Sequence, residues 1–139
     1  MTKEELRQLF KEKILPHQRS PYHFELVNSP TEEVVAYNPY CGDKYTLQLQ
    51  KKAESLNKAY FQGFGCAISQ ASTSILLQRI EGKTDSEVAD YLKQFLTSLE
   101  QGTLTDDEEL NVLIQLKSFD GREECITLAW KALLDHMQK

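Results

Sequence analysis

The spacing of apolar residues changes part of the way along this chain, and that change restricts the fold more than any other feature. Across residues 44–50 ("KYTLQLQ"), apolar and polar side chains alternate, which is typical of a strand with one buried face. Residues 24–28 and 33–37 also have strand-like composition, and residues 56–65 are expected to pair back on 44–50 after a polar bend. Beyond residue 65, apolar residues recur at helical spacing instead.

Capping patterns mark where the helices begin. Thr2 and Glu5 open an N-terminal helix that Pro16 is expected to stop. The later helices are predicted over residues 66–81 and from starting points at Thr84, Thr105 and near Gly121. Strands followed by helices indicate an α+β fold, a small antiparallel sheet of about three strands with helices packed on it. Because no internal repeat or linker is evident, residues 1–139 are expected to form a single domain.

The charge balance restricts the partners. The chain has 139 residues and a formal net charge of −5, so it lacks the basic face that nucleic acids and anionic membranes attract. Residues 1–16 carry charges throughout, unlike a signal peptide, and no apolar stretch reaches the roughly 18 residues of a membrane span. We therefore expect a cytoplasmic protein whose cysteines stay reduced and serve structural, metal-binding or catalytic roles.

The three cysteines all lie near predicted ends of helices or strands. Cys41 occupies a turn, Cys66 the expected N-terminus of a helix, and Cys125 the start of the last helix. If the chain is extended at Cys41, Asp43 points the same way, and the two can fill corners of a tetrahedral site. Three thiolates and one carboxylate suit Zn²⁺, and soft thiolates also suit iron–sulfur chemistry.

Spacing alone does not decide for a metal site, because the chain has no CxxC pair and no zinc-finger spacing. Cys125 can instead pack beside the apolar stripe of its helix, and Cys66 can pack under a glycine-rich turn. Asp43 can be an ordinary turn residue. From the residues alone, both interpretations stay open.

Three blocks of sequence resemble the U-type iron–sulfur assembly proteins, the family of NifU N-terminal domains, IscU and SufU. These blocks are "NPYCGD" at 38–43, "GFGCAISQASTSIL" at 63–76 and "CITLAWKAL" at 125–133. The resemblance implies a NifU/IscU-like fold and places the family's metal ligands on Cys41, Asp43, Cys66 and Cys125.

Within that family, the chain is similar to the SufU branch. Glu124 stands where IscU-type proteins have a histidine before the third cysteine, and the long segment after Cys66 resembles the SufU insertion. Arg122 matches a basic position of that branch, which implies a role toward the partner or the charge of the site; a solvated helix residue is the plain alternative. Phe64 and Tyr40 depart from the family pattern, which has an acidic and a small residue at these positions.

The resemblance implies a zinc-dependent sulfurtransferase, with Cys41 as the acceptor of persulfide sulfur from a SufS-like, PLP-dependent cysteine desulfurase. PLP would belong to that partner, and downstream iron–sulfur scaffolds or apo-proteins would take the sulfur onward. Two alternatives remain: a scaffold on which a [2Fe–2S] cluster is built and handed on, and a structural zinc domain that serves only for docking. We assign no role in the site to His17, His23 or His136.

Overall fold

The computed structural model of the protein describes residues 2–120 and 122–138. The elements are α1 (Lys3–Leu9), a π-helical segment (Phe10–Ile14), α2 (Leu15–Arg19), β1 (Glu32–Tyr37), β2 (Lys44–Lys52), β3 (Ser55–Phe64), α3 (Ala67–Ile80), α4 (Asp85–Gln101), α5 (Glu108–Asp120) and α6 (Glu123–Met137). The three strands form an antiparallel sheet in the order β1-β2-β3. The predicted α+β fold is confirmed.

The alternation that predicted β2 gives the sheet one buried face. Tyr45, Leu47 and Leu49 are buried on the inner face against the helices, while Lys44 and Thr46 lie on the outer face. The hairpin between β2 and β3 is confirmed, and Ala53 in its turn has a positive φ of 58°.

Residues 24–28 do not form a strand, and that prediction is wrong. The connector made of residues 20–31 passes the free edge of β3, where the Phe61 N–H donates to the His23 carbonyl at 3.1 Å. The Val27 N–H then donates to the side-chain Oε1 of Gln48 at 2.6 Å rather than to a strand backbone. The apolar residues of this segment therefore cover the sheet instead of extending it.

The prediction that the N-terminal helix stops at Pro16 is wrong. The helical stretch continues to Arg19. A proline ring in a regular α-helix clashes with the carbonyl four residues earlier and has no N–H to donate. Here the wider π-helical turns come directly before it, and the Leu15 N–H donates to the Phe10 carbonyl five residues back. This widening lets the chain pass the proline without ending the helical stretch.

The helix starts agree only in part with the predictions. The capping boxes at Thr2 and Thr84 are present. The start at Thr105 is wrong by a few residues, because the carboxylate of Asp107 accepts from the first free N–H groups of α5. The last helix begins at Glu123, and Gly121 lies outside the described residues.

Helix α3 lies at the centre of the molecule and is buried nearly all round. Its small hydroxyl side chains make this possible, since each finds a hydrogen-bond partner inside the core. Ser72 donates to the Ile126 carbonyl at 2.6 Å and accepts from Trp130 Nε1 at 2.9 Å. These bonds fix α6 against α3 and so fix the position of Cys125. Across the described ranges, no helix combines the length and apolar character needed to cross a membrane.

Candidate metal centre

The loop made of residues 38–43 joins β1 to β2 and carries two of the predicted ligands. The Asn38 N–H donates to the Asp43 carbonyl at 2.9 Å, and the Gly42 N–H donates to the Asn38 carbonyl at 2.8 Å. Gly42 has a φ of +78°, a conformation that favours glycine. The chain is therefore a tight turn rather than extended, and the turn leaves Cys41 exposed and Asp43 buried.

The turn and helix α6 bring three potential ligands together. The ligand atoms of Cys41, Asp43 and Cys125 all lie within 4.8 Å of one another. Cys41 comes from the loop tip, Asp43 from the end of the same loop just before β2, and Cys125 from the first turn of α6, so distant parts of the chain converge here. Two thiols and a carboxylate at this distance form a group that can hold a metal ion.

Cys66 lies beside this group but outside that distance limit. It is the N-cap of α3, and its Sγ accepts from the Ser69 N–H at 3.4 Å. Burial disfavours its thiolate, but the hydrogen bonds from the backbone and side chain of Ser69 outweigh burial and lower the pKa of the Cys66 thiol. The predicted placement at a helix N-terminus is therefore what stabilises this sulfur in its ionised form.

Cys125 has the opposite tendency. Burial, followed by its interaction with the neighbouring Cys66 sulfur, raises the pKa of the Cys125 thiol to about 12. Two adjacent thiols without a cation cannot both ionise readily, because each thiolate repels the other. A bound cation would remove this conflict.

Asp43 gives the clearest sign that the group fits a metal ion. The residue is only 5% exposed, and its Oδ2 is buried without a hydrogen-bond partner among the described residues. An orphaned carboxylate oxygen in a protein interior is costly unless something positive binds it. Together with the neighbouring thiols, this donor set suits Zn²⁺.

Residues behind the ligands hold the site in shape, and the sequence analysis did not identify most of them. The hydroxyl of the fully buried Tyr45 lies 2.8 Å from the Ser69 Oγ, which in turn donates to the Cys66 carbonyl. Burial raises the pKa of Tyr45 to about 12, so it stays a neutral hydrogen-bonding group. Strand periodicity places Tyr45 on the buried face but contains no signal for its hydrogen bond.

Gly65 closes the back of the site. A Cβ atom there would lie 3.0 Å from the Asp43 Cγ and closer still to the hydroxyl groups of Tyr45 and Ser69. So close an approach to the side chains around the potential ligands requires glycine at this position.

Arg122 and Glu124 flank Cys125 but face different neighbours. Arg122 is exposed and lines a cavity of about 360 Å³ together with residues of α1 and the first turn of α3. The Glu124 carboxylate accepts from the Asn38 side chain at 3.5 Å, which connects α6 to the ligand-bearing loop. Neither residue is in the three-ligand group.

The histidines hydrogen-bond elsewhere in the fold. His17 lies between Ser74 and Glu109, at 2.8 and 2.9 Å. His23 Nδ1 lies 2.9 Å from the Ala59 carbonyl, and His136 Nε2 lies 2.6 Å from Glu32. No histidine belongs to the ligand group found among the described residues.

Comparisons with known proteins agree with this geometry. The sequence profile described as "NifU-like N terminal domain" matches residues 9–135. The chain is 33% identical to the "Zinc-dependent sulfurtransferase SufU" of Bacillus subtilis, over 90% of this chain and 86% of that protein. It is 29% identical to the "Iron-sulfur cluster assembly scaffold protein IscU" of Thermotoga maritima, over 96% of this chain and 95% of that protein.

A solved structure has the same fold. It is described as a putative iron–sulfur cluster assembly scaffold protein for the SUF system from Fervidobacterium islandicum. Its TM-score is 0.79 at 26% identity, and the alignment covers 91% of this chain and 95% of that one. The resemblance seen in the three cysteine blocks therefore extends over nearly the whole chain.

Proposed function

Since this chain belongs to the family of NifU-like N-terminal domains, we propose that it works in iron–sulfur cluster assembly as a zinc-dependent sulfurtransferase. In this proposal, Cys41 accepts persulfide sulfur from a PLP-dependent cysteine desulfurase in the cytoplasm and releases it to a downstream scaffold or apo-protein. The relative named a zinc-dependent sulfurtransferase supports this choice.

The observation that carries the proposal is the unequal burial of the ligands. Asp43 is buried and Cys125 is half-buried, whereas Cys41 is exposed at the tip of its loop. A protein partner can reach Cys41 directly while the other groups remain fixed inside the domain. An exposed acceptor with buried anchors is what transfer between two proteins requires.

The residues that would hold Zn²⁺ are Cys41, Asp43, Cys66 and Cys125. When bound, Zn²⁺ supplies the positive charge that keeps coordinated thiols ionised at neutral pH. Asp43 contributes its otherwise unpaired Oδ2, and Ser69 orients Cys66 through its backbone N–H. Gly42 gives the loop the backbone freedom that Cys41 needs to meet the partner.

The transfer itself needs no oxidant or reductant. The Cys41 thiolate attacks the outer sulfur of the persulfide on the desulfurase and forms a new S–S bond. The S–S bond within the partner's persulfide breaks, and its electron pair leaves on the partner's cysteine as a thiolate. The outer sulfur and its proton end on Cys41 as a new persulfide.

Arg122 enters the proposal as a residue that contacts the partner or tunes the charge of the site. It is exposed and adjoins the first turn of α3, whose N-cap is Cys66. A positive charge in that position favours an incoming anionic group.

A second candidate function is a scaffold for a [2Fe–2S] cluster. It is favoured by the relative named IscU scaffold, which matches nearly the full length of the chain. The same thiol-rich ligand group suits iron–sulfur chemistry, and the cluster would be the cargo. The transfer function is favoured instead by Glu124, which stands where the IscU pattern has a histidine.

Desulfurase turnover, measured with and without this protein, tests the proposal when combined with metal analysis. The protein purified without added metal should contain about one tightly held zinc ion and should stimulate alanine production from cysteine. Cys41→Ala should remain folded and abolish stimulation, because the acceptor is gone. Glu54→Ala, on the exposed turn between β2 and β3, is the matched control and should stimulate like the wild type.

Two results would contradict the proposal in different ways. Bound iron with acid-labile sulfide would favour the scaffold. A Cys41→Ala variant that loses zinc and stability, while the wild type never stimulates the desulfurase, would favour the purely structural docking domain.

A further inference from the structure

Among the residues whose burial the structure describes, most exposed large hydrophobic residues lie on one side. Six large hydrophobic residues are exposed among those described, and one of them, Leu104, belongs to the segment between α4 and α5. Tyr40 lies on the ligand-bearing loop and is 93% exposed. The remaining four lie on or against the outer face of the sheet: Leu26, Val35, Tyr37 and Phe64. Such clustering marks an interaction surface more often than scattered exposure does.

The strand register shows that this surface adjoins the metal centre. Tyr37, Lys44 and Phe64 are direct cross-strand neighbours and form the row of the sheet next to the ligand-bearing loop. Val35 lies in the following row, beside Thr46. We call Leu26, Val35, Tyr37, Lys44 and Phe64 the sheet patch.

The far end of the same sheet face is already covered. There the connector 20–31 packs over the strands, Gln48 is buried at 3% exposure, and His23 stacks on Tyr60 with ring centroids 5.0 Å apart. The connector thus covers the part of the face that is distant from Cys41, whereas the near part, which Leu26 of the connector borders, stays open.

The sheet patch is too small to hold a partner alone. Three strands about 4.8 Å apart and two open rows give a surface roughly 15 Å by 10 Å, far below the roughly 800 Å² per partner of a stable interface. A second copy of this chain would have to cover the Cys41 loop as well to reach that area, and would block the acceptor. A sulfur donor, by contrast, must cover the Cys41 loop in any case.

The composition of the sheet patch selects it over the other side of the loop. Interface centres are rich in aromatic residues and poor in charges, and the patch offers two aromatic residues around one cation. The opposite side, at the cavity of α1, also has apolar lining residues, but three cations border it: Lys3, Arg7 and Arg122. Lys44 Nζ lies 5.9 Å from the centroid of the Tyr37 ring, and this ammonium group in apolar surroundings fits a carboxylate of the partner.

We propose that the sheet patch forms one half of the docking surface for the cysteine desulfurase, continuous with the Cys41 loop, and that Lys44 pairs there with a carboxylate of that enzyme. This inference rests on the proposed function and adds which face of the domain the desulfurase covers.

The test measures binding and stimulation separately, with full-length zinc-loaded protein and a PLP-loaded cysteine desulfurase of the same organism as the probe. In calorimetry, the double variant Tyr37→Ser/Phe64→Ser should bind at least about tenfold more weakly, and Lys44→Glu should also bind more weakly. Leu104→Ser is the matched control for a lost exposed hydrophobic residue and should bind like the wild type. Zinc content and Tm should be unchanged in all of these variants, because the altered side chains are exposed.

The outcomes separate this inference from the function on which it rests. Unchanged affinity of the double variant, with normal stimulation, overturns the docking surface and leaves the function standing. A wild type that neither binds nor stimulates the desulfurase overturns both. A dimer in sedimentation that Phe64→Ser dissociates assigns the patch to a second copy and overturns the inference.

Discussion

At the scale of single residues, the site depends on a carboxylate oxygen that the fold buries and leaves unpaired. Asp43 Oδ2 has no hydrogen-bond partner among the described residues, while the thiols of Cys66 and Cys125 lie side by side. Each of these features costs free energy in the metal-free protein. A cation bound there would offset both, so the proposed function implies that metal binding stabilises the fold.

Metal removal should therefore lower stability, and Asp43 should account for part of the loss. With zinc at 100 to 1,000 times its Kd, chelation should cost the wild type about 3–4 kcal/mol of unfolding free energy. For Asp43→Ala, the loss of unfolding free energy on chelation should be smaller by at least about 1.4 kcal/mol, because a tenfold weaker site contributes that much less. Denaturant titrations with zinc and with chelator measure both values.

The control for this prediction is Asp90→Ala, which removes an exposed carboxylate from α4. It should respond to chelation like the wild type. An Asp43→Ala variant that also responds like the wild type would show that the orphaned oxygen does not bind the metal.

Gly65→Ala should damage the site without changing any ligand. The added methyl group would collide with the hydroxyl groups of Tyr45 and Ser69 and press on the Asp43 carboxyl. We expect zinc affinity to fall about 10- to 100-fold, as for other losses of support around metal ligands. Competition with a chromophoric chelator measures the affinity.

Gly102→Ala provides the matched comparison for that substitution. Gly102 has a φ of +72° and open space around it, so alanine should cost about 1–2 kcal/mol of stability and leave zinc affinity unchanged. Equal zinc affinities of the two variants would contradict the role given to Gly65.

At the scale of helices and strands, the β2–β3 hairpin contains a local strain that can be relieved. Ala53 has a φ of 58°, a backbone conformation that glycine adopts without strain and that β-branched residues adopt only with strain. Ala53→Gly should raise the unfolding free energy by about 0.5–1 kcal/mol, and Ala53→Val should lower it. Thermal unfolding of both variants tests this, and shifts in the same direction would contradict it.

The start of α5 depends on a charged network. Arg79 Nε donates to Asp107 at 2.6 Å, and the same guanidinium pairs with Glu109. Burial opposes both carboxylates, but the hydrogen bonds from Arg79 to Asp107 and from His17 and Arg79 to Glu109 outweigh it and lower both pKa values. The stability that these interactions add is complete at pH values above the ordinary carboxyl pKa values of 3.8 and 4.5. It is lost as the pH falls below these values and through the lowered pKa values of the folded protein.

Arg79→Gln should therefore flatten the acid side of the stability curve. At pH 7 the variant should be about 1–3 kcal/mol less stable, because charged hydrogen bonds are lost. Below pH 4 the difference should shrink, since the wild type then loses the same interactions. A constant difference from pH 7 to pH 3, measured by urea unfolding, would contradict this account.

Local signals predicted some elements and missed others for identifiable reasons. The capping boxes at Thr2 and Thr84 and the alternation in β2 are local, and they predicted elements that are present. The helix end predicted at Pro16 is wrong because the π-helical turns that precede the proline make room for its ring. The strand predicted over residues 24–28 is wrong because a segment that covers a sheet face has the same apolar composition as a strand of the sheet.

At the scale of the whole molecule, no periodicity predicts that Cys41, Asp43 and Cys125 converge. Their meeting depends on α6 packing on α3 and on the β1–β2 loop reaching the start of α6. Only the resemblance of three separate blocks to a family places these residues in one site. The roles of Tyr45 and Gly65 emerge from the packing itself, since they act through contacts between distant segments.

The central claim is that Cys41 receives sulfur, and the most direct measurement is where the sulfur goes. Zinc-loaded protein, mixed with a PLP-loaded desulfurase and cysteine and then alkylated, should gain one sulfur atom in intact-mass spectrometry. Peptide mapping should place that atom on Cys41, and the Cys41→Ala variant should gain none. Sulfur found on Cys66 or Cys125, or a wild type that gains no sulfur while the desulfurase turns over, would contradict the account.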